Sequence, residues 1–183
     1  SKEEKKTAIA HHIRKIMEIL GLDVEDPSLR CTPDRVATMY IDEIFFGLDI
    51  DAFPDVSLFD DQTHTSTSGR LIVTKTHIVS FCEHHLVPMI GTAYISYLPR
   101  EQIIGLSKIS RIAQYFAARP QIQERLTAQI GDSLATILGH QDVAVQVTAR
   151  HTCVAARGAK DEDAATTTLF TSGAFQTSPD LRR

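Results

Sequence analysis

Apolar residues recur at helical spacing through the first part of the chain. Ile9, Ile13, Ile16, Met17 and Leu20 predict a helix over 7–20, with Gly21 as its stop. Thr32-Pro33 reads as the N-cap and first position of a second helix, whose stripe is Val36, Met39, Tyr40 and Ile44 and whose end lies near Gly47. Residues 48–69 are polar, contain Pro54, and read as a loop. The period then changes. Residues 70–81 are rich in β-branched side chains, and 91–98 alternate with Ala93 and Ile95 on one face, so both are expected strands. Ser107 is expected to cap a helix with the stripe Ile109, Ile112, Ala113 and Phe116, broken at Pro120. A further helix carries Ile122, Leu126, Ile130, Leu134 and Ile137 and ends at Gly139. Val143, Val145, Val147 and Ala149 alternate strictly, predicting a strand over 142–153, and 164–175 reads as the last strand.

Helix pairs and strand pairs therefore alternate. That order predicts an α+β fold, an antiparallel sheet with helices packed on one face, preceded by an N-terminal helical part. The expected division is 1–50 for the helical part and 51–183 for the sheet-bearing domain. Open sheet edges point to assembly into a homo-oligomer. The 183 residues suffice for one core plus a helical arm. Hydrophobic residues at 43% and charged residues at 23% are ordinary globular values. A net charge of −4 without a basic block argues against nucleic acid as a partner. No apolar run has the length of a membrane span, and the charged start Ser1-Lys2-Glu3-Glu4 lacks a signal-peptide core, so a cytoplasmic protein with no membrane partner is expected.

Chemistry concentrates in few places. Three cysteines, Cys31, Cys82 and Cys153, do not make a disulfide scaffold. Cys82-Glu83-His84-His85 offers a thiolate and an imidazole from one turn, a donor mixture that suits zinc. In His151-Thr152-Cys153, the alternation of β-strand side chains extends to place His151 and Cys153 on one strand face. Cys82, His85 and Cys153 give three ligands. A catalytic site keeps one position open, whereas a structural site would need a fourth ligand, for which Cys31 is the candidate. Cys31 precedes a helix of the N-terminal part and is read as a small buried hydrophobe. His84 and His151 remain for acid–base work.

Gly105-Leu106-Ser107-Lys108-Ile109-Ser110-Arg111 puts hydroxyl and basic side chains in a helix's first turn, where an anion is favoured. Lys108 and Arg111 share a face, and Arg157, just after Cys153, can add a forked guanidinium to the same anion. In Gln121-Ile122-Gln123-Glu124-Arg125, the Glu124 carboxylate can accept the paired N–H and NH₂ of a guanine edge.

Taken together and in order, Cys82-Glu83-His84-His85, Gly105-Leu106-Ser107-Lys108, Gln121-Ile122-Gln123-Glu124-Arg125-Leu126 and His151-x-Cys153-x-x-x-Arg157-Gly158 resemble the zinc-dependent GTP cyclohydrolase I family. The resemblance runs from Thr32-Pro33-x-Arg35 to Thr166-Thr167-Thr168. It implies the tunnelling fold, assembled into rings, commonly a decamer, with sites between subunits. It implies conversion of GTP to 7,8-dihydroneopterin triphosphate and formate. Cys82, His85 and Cys153 would bind one Zn²⁺ per subunit, His84 and His151 would handle protons, and Ser107 would relay one. Ser107, Lys108, Arg111 and Arg157 would hold the triphosphate, and Gln123 and Glu124 the guanine. Many members carry Lys where Thr38 stands. Related readings are a pterin synthase, which binds zinc through histidines alone, and a nitrile reductase, which uses Cys and a nicotinamide cofactor without zinc. The reading from another class is a non-catalytic, zinc-stabilised assembly protein.

Overall fold

The first helix, α1, spans Lys2–Ile19 in the computed structural model, which describes residues 1–61 and 70–182. It begins earlier than expected because Ser1 and Glu4 form a reciprocal capping box, the Glu4 amide donating to Ser1 Oγ at 3.3 Å. The next helix, α2, spans Thr32–Thr38, and Cys31 rather than Thr32 occupies its cap position. The Thr32 amide already donates to Leu29 O at 2.8 Å, so the expected Thr32 cap is displaced by one residue. The chain then widens into a π turn over Met39–Ile44 and two 3-10 turns, Phe46–Leu48 and Ile50–Ala52.

Gly47 was expected as a helix end and is instead the seam between this helical part and the rest. Its amide donates to Ala118 O at 3.0 Å. A Cβ there would stand 2.1 Å from Tyr115 O, so only glycine allows the two backbones to meet.

The expected loop over 48–69 is corrected in part: it contains a strand, β1 (Leu58–Asp60), while 62–69 lie outside the described residues. Then follow β2 (Ile72–Cys82), β3 (Pro88–Tyr97), β4 (Gln102–Ile104), α3 (Leu106–Ala117), β5 (Pro120–Gln121) and α4 (Gln123–Leu138). The chain continues through β6 (Val143–His151), a single turn α5 (Thr152–Ala155), β7 (Ala165–Thr171), α6 (Ala174–Thr177) and a 3-10 turn, Pro179–Arg182. The expected strands over 142–153 and 164–175 were thus too long at their ends, where one-turn helices take over.

The main sheet has the order β5-β2-β3-β6-β7. All neighbours are antiparallel except β2 and β5, which pair in parallel over Phe81↔Pro120 and Cys82↔Gln121. β1 and β4 form a separate antiparallel ribbon, and Gly105, at the cap of α3, donates its amide to Ser57 O at 3.1 Å. One face of the sheet carries Ile78, Ala93, Ile95, Val143, Val145 and Val147 against Ile109 and Ile112 of α3 and Leu126, Ile130 and Leu134 of α4, all fully buried. Helices on one face of an antiparallel sheet is the architecture the pattern predicted. The opposite face presents Val73, Val79, Ile90, Tyr94 and Leu169, each at least 40% exposed within one chain.

The strand register decides where functional side chains stand. Met89 pairs with His151 at one end of the sheet, and Tyr97 with Val143 at the other. Eight residue steps along a strand span about 26 Å. Tyr97 Oη accepts from the Ile104 amide at 3.1 Å, so α3 begins at the Tyr97 end. Its other end leads through Arg119 into β5, beside Cys82. No helix among the described residues is long and apolar enough to cross a membrane.

Candidate metal centre

β2 ends on Cys82, and the chain reverses at once into β3. The Cys82 amide donates to Val87 O at 2.9 Å, and the Leu86 amide returns to Cys82 O at 2.8 Å. Leu86 takes a φ of 53° to close this turn, a conformation uncommon for a residue with a side chain. The reversal brings His85 Nδ1 to 3.7 Å from Cys82 Sγ. Across β3, β6 ends at His151, and the single turn α5 carries Cys153. The expectation that Cys153 continues the strand face of His151 is therefore corrected: the strand stops two residues short, and a helical turn delivers the thiol. Thr152 fixes that junction by donating Oγ1–H to Pro88 O at 2.6 Å.

The donor atoms of Cys82, His85 and Cys153 all lie within 4.8 Å of one another. Tetrahedral bonds of about 2.3 Å to sulfur and about 2.0 Å to nitrogen would put two such donors about 3.6 Å apart, which the Cys82–His85 separation matches. The donor set of two thiols and one imidazole suits zinc. Cys82 is buried, Cys153 half-buried and His85 exposed, so the centre is closed towards the core and open outwards. Cys31 lies exposed at the start of α2 and is not part of this group; it is also not the buried hydrophobe expected. Burial, and then the adjacent Cys82 thiol, push the Cys153 thiol above its ordinary value.

Two histidines flank the centre. His84 is exposed, with Nδ1 3.9 Å from Cys82 Sγ and Nε2 3.9 Å from a Glu83 carboxylate oxygen. His151 is half-buried, and its Nε2 lies 2.7 Å from Gln123 Oε1. Arg157 brings Nη1 to 2.8 Å from His85 Nε2. A guanidinium only donates, so His85 Nε2 is the acceptor in this contact.

A second set of bonds, missed in the sequence, ties the metal turn to α4. The Glu83 amide donates to Gln121 O at 3.0 Å, continuing the short β2–β5 pairing. Arg125 donates through Nη2 to the Glu83 carboxylate and to Pro120 O, and through Nε to Gln121 Oε1 at 3.0 Å. Gln121 donates in turn to Phe116 O at 2.9 Å and Gln129 Oε1 at 2.8 Å. Contact with Arg125 holds the Glu83 carboxyl below its usual range. Glu83 and Arg125 both stood inside the motifs; a two-residue parallel pair leaves no periodicity that would have linked them.

Glu124 lies exposed in the first turn of α4, free to face a ligand. Gln123, expected beside it as a guanine contact, is 2% exposed. Its Nε2 serves Val147 O, Thr166 O and Thr168 Oγ1 at 2.9–3.1 Å, leaving no amide donor for a base. The signal for this inward placement was available: Gln123 falls on the same stripe as Leu126 and Ile130.

Ser107, Lys108 and Arg111 occupy the first turns of α3, where no acidic residue opposes an anion. Gly105, not Ser107, holds the cap position, and no side chain caps the helix, so the expected Ser107 cap is corrected and its hydroxyl remains exposed. Within one chain this cluster stands at the Tyr97 end of the sheet, whereas Arg157 and the metal ligands stand at the Met89 end. One chain does not bring them onto one anion.

The sequence model of the family described as GTP cyclohydrolase I matches residues 9–183. A protein of Aeromonas salmonicida (strain A449) named GTP cyclohydrolase 1 is 48% identical over 180 residues, covering 98% of this chain and 82% of that protein. Its namesake from Shewanella sp. (strain W3-18-1) is 48% identical over 182 residues, covering 100% and 84%. That of Vibrio vulnificus (strain YJ016) is 47% identical over 182 residues, covering 100% and 83%. Among solved structures, the archaeosine synthase QueF-Like in the apo form aligns with TM-score 0.46 at 15% identity, over 58% of this chain and 98% of that one.

Proposed function

The chain belongs to the GTP cyclohydrolase I family, and we propose that it carries out the family's reaction with one zinc ion held by Cys82, His85 and Cys153. That reaction opens the imidazole ring of GTP by hydrolysis, releases formate and rearranges the product to 7,8-dihydroneopterin triphosphate. The observation that carries the zinc reading is the convergence of two thiols and one imidazole on a single point with an open outer side. When bound at such a three-ligand site, zinc lowers the pKa of a water it holds to about 7.

The protein's own groups divide the remaining work. Glu124 accepts the N–H and NH₂ of the guanine edge and so sets C8 towards the metal turn. His151 gives a proton towards N7, which makes C8 electrophilic. His84, exposed beside the centre, serves the opening of the ribose, and Ser107 relays a proton during ring closure. Lys108 and Arg111 hold the triphosphate with Ser107, and Arg157 leaves His85 to join them.

The Met89 and Tyr97 ends lie about 26 Å apart along the sheet, which supports the reading that the α3 cluster completing a site comes from another copy. The apolar sheet face left exposed in one chain and the open β7 edge give such a copy surfaces to meet. We read the assembly as a homodecamer with sites between subunits, residues 1–50 as its helical arm and 51–183 as the catalytic unit. The cytoplasm supplies GTP and keeps the thiol ligands reduced.

The test is a combined assay for formate and for a fluorescent pterin after oxidation, on zinc-loaded protein beside Cys153→Ser. Formate and pterin from the wild type and neither from the variant are expected. GTP binding by the zinc-replete wild type without formate release would overturn the reading.

A further inference from the structure

The buried amide of Gln123 shows which way every hydrogen bond around it runs. Thr127, one turn on in α4, donates its hydroxyl proton to Gln123 O at 2.8 Å. That proton being spent, the 2.6 Å bond between Thr127 and Thr168 must run from the Thr168 hydroxyl to Thr127 Oγ1. Thr168 Oγ1 is then left to accept, and Gln123 Nε2 lies 3.1 Å from it. The same nitrogen lies 3.0 Å from Val147 O and 2.9 Å from Thr166 O, two carbonyls that only accept. Turning the amide over would press Oε1 against both carbonyl oxygens in a site that water does not reach. A buried acceptor with no donor is costly, so the amide orientation is fixed.

One polar atom of the side chain remains, and it faces the centre. Gln123 Oε1 stands 2.7 Å from His151 Nε2, and as Oε1 can only accept, His151 donates from Nε2. Among the described residues Nδ1 has no such partner, so it is the ring atom left for a ligand. A leucine or methionine would fill this position of the α4 stripe without a polar group to satisfy.

We propose that Gln123 is a positioning residue for His151: its carbonyl oxygen holds the Nε2–H and fixes the ring, so that Nδ1 is the atom through which His151 gives and takes protons with substrate. The inference rests on the reading of His151 as a proton carrier. It replaces the expected contact between Gln123 and guanine with a contact one step removed from the substrate. A second hydrogen bond that fixes the tautomer and plane of an imidazole is a general device for aiming the other nitrogen.

Two substitutions separate this role from a plain structural one. Gln123→Met keeps the volume and removes both polar atoms. Gln123→Glu keeps an acceptor for His151 and, held protonated by burial against the carbonyls of Val147 and Thr166, keeps one of the amide's two donors to them. Steady-state kinetics on zinc-replete, assembled protein should show kcat lowered about tenfold to a hundredfold in Gln123→Met, with KM for GTP unchanged, and largely recovered in Gln123→Glu. Equal loss in both variants would make Gln123 an anchor between α4 and β7 and overturn the proposal. So would a raised KM with normal kcat, which marks a substrate contact, or an unimpaired Gln123→Met. If Gln123→Met does not assemble, Gln123→Glu decides alone: kcat within about tenfold of wild type supports the proposal, and a larger loss overturns it. His151→Ala separates the two layers. Normal kcat in that variant removes the proton-carrier reading itself. An inactive His151→Ala beside an unimpaired Gln123→Met removes only the role given to Gln123.

Discussion

Arg125 reaches from the first turn of α4 to the carboxylate of Glu83, in the turn that presents Cys82 and His85. The ion pair thus joins the element that carries Glu124 to the element that carries the metal ligands. Both side chains are partly open to solvent, so the pair contributes little to stability. Its effect is geometric: it sets the distance between the Glu124 carboxylate, proposed to recognise the base, and the centre. Arg125→Met should lower kcat about tenfold while zinc content and the unfolding midpoint stay near wild type. Arg125→Lys should recover part of the loss, because it keeps the charge but not the fork that spans Glu83 and Gln121. Arg125 holds the Glu83 carboxyl below its usual range, so the pair is intact at and above that range and is lost only as pH falls through the lowered value. Unchanged kcat in zinc-replete Arg125→Met would refute the clamp.

Metal content separates the three-ligand centre from a four-ligand structural site. Elemental analysis of the purified chain should give about one zinc per chain. Cys82→Ser, His85→Ala and Cys153→Ser should each lose it, and Cys31→Ser should keep it. A loss of zinc in Cys31→Ser would return the structural reading.

The distance between Lys108 and Cys153 predicts complementation. Lys108→Ala and Cys153→Ser should each be inactive alone. Dissociated together and reassembled, the mixture should regain activity, because some sites then combine the intact α3 cluster of one chain with the intact metal centre of another. Random mixing gives roughly a quarter of the sites both intact halves. No recovery in a mixture shown to have exchanged subunits would place each site within one chain.

His140 makes folding sensitive to acid. It is buried beside Asp142 and Arg100; its Nδ1 accepts the Asp142 amide at 3.2 Å, and among the described residues its Nε2 has no hydrogen-bond partner. Burial first, and then the Arg100 guanidinium, lower its pKa from 6.5, while Asp142 opposes them. The unfolded chain therefore takes up the proton first as pH falls. Stability should drop from roughly pH 6.5 downward and be indifferent to this group above it. Denaturant unfolding at about pH 7.5 and about pH 5.5 should show a smaller loss in His140→Gln than in wild type. Equal losses would exclude His140 as the source.

The elements that were legible share one property: their signal is a local period. The α4 stripe from Leu126 to Ile137, with Gly139 taking a positive φ at the end, and the alternation of Val143, Val145 and Val147 were recovered almost to the residue. β1 and β4 were not, because three-residue strands are too short to show a period. β5 was hidden for the same reason, and with it the link between Gln121 and Cys82. At Cys153 the alternation was extended past the point where the backbone turns helical, which no local pattern marked.

The sequence by itself determined the donor chemistry and its grouping: which residues can hold a metal, and that a thiol and an imidazole three residues apart can share one turn. It also determined which faces of the strands and helices become core, since burial follows side-chain period. Tertiary structure decided what that period leaves open. Register placed the α3 cation cluster and the metal ligands at opposite ends of one sheet, and a two-residue parallel pair brought Arg125 to Glu83. Packing turned Gln123 inward, where two carbonyls orient its amide and leave its oxygen for His151. Pairing partners and hydrogen-bond directions are set by contacts between residues far apart in the chain, and the local spacing of residues carries no record of them.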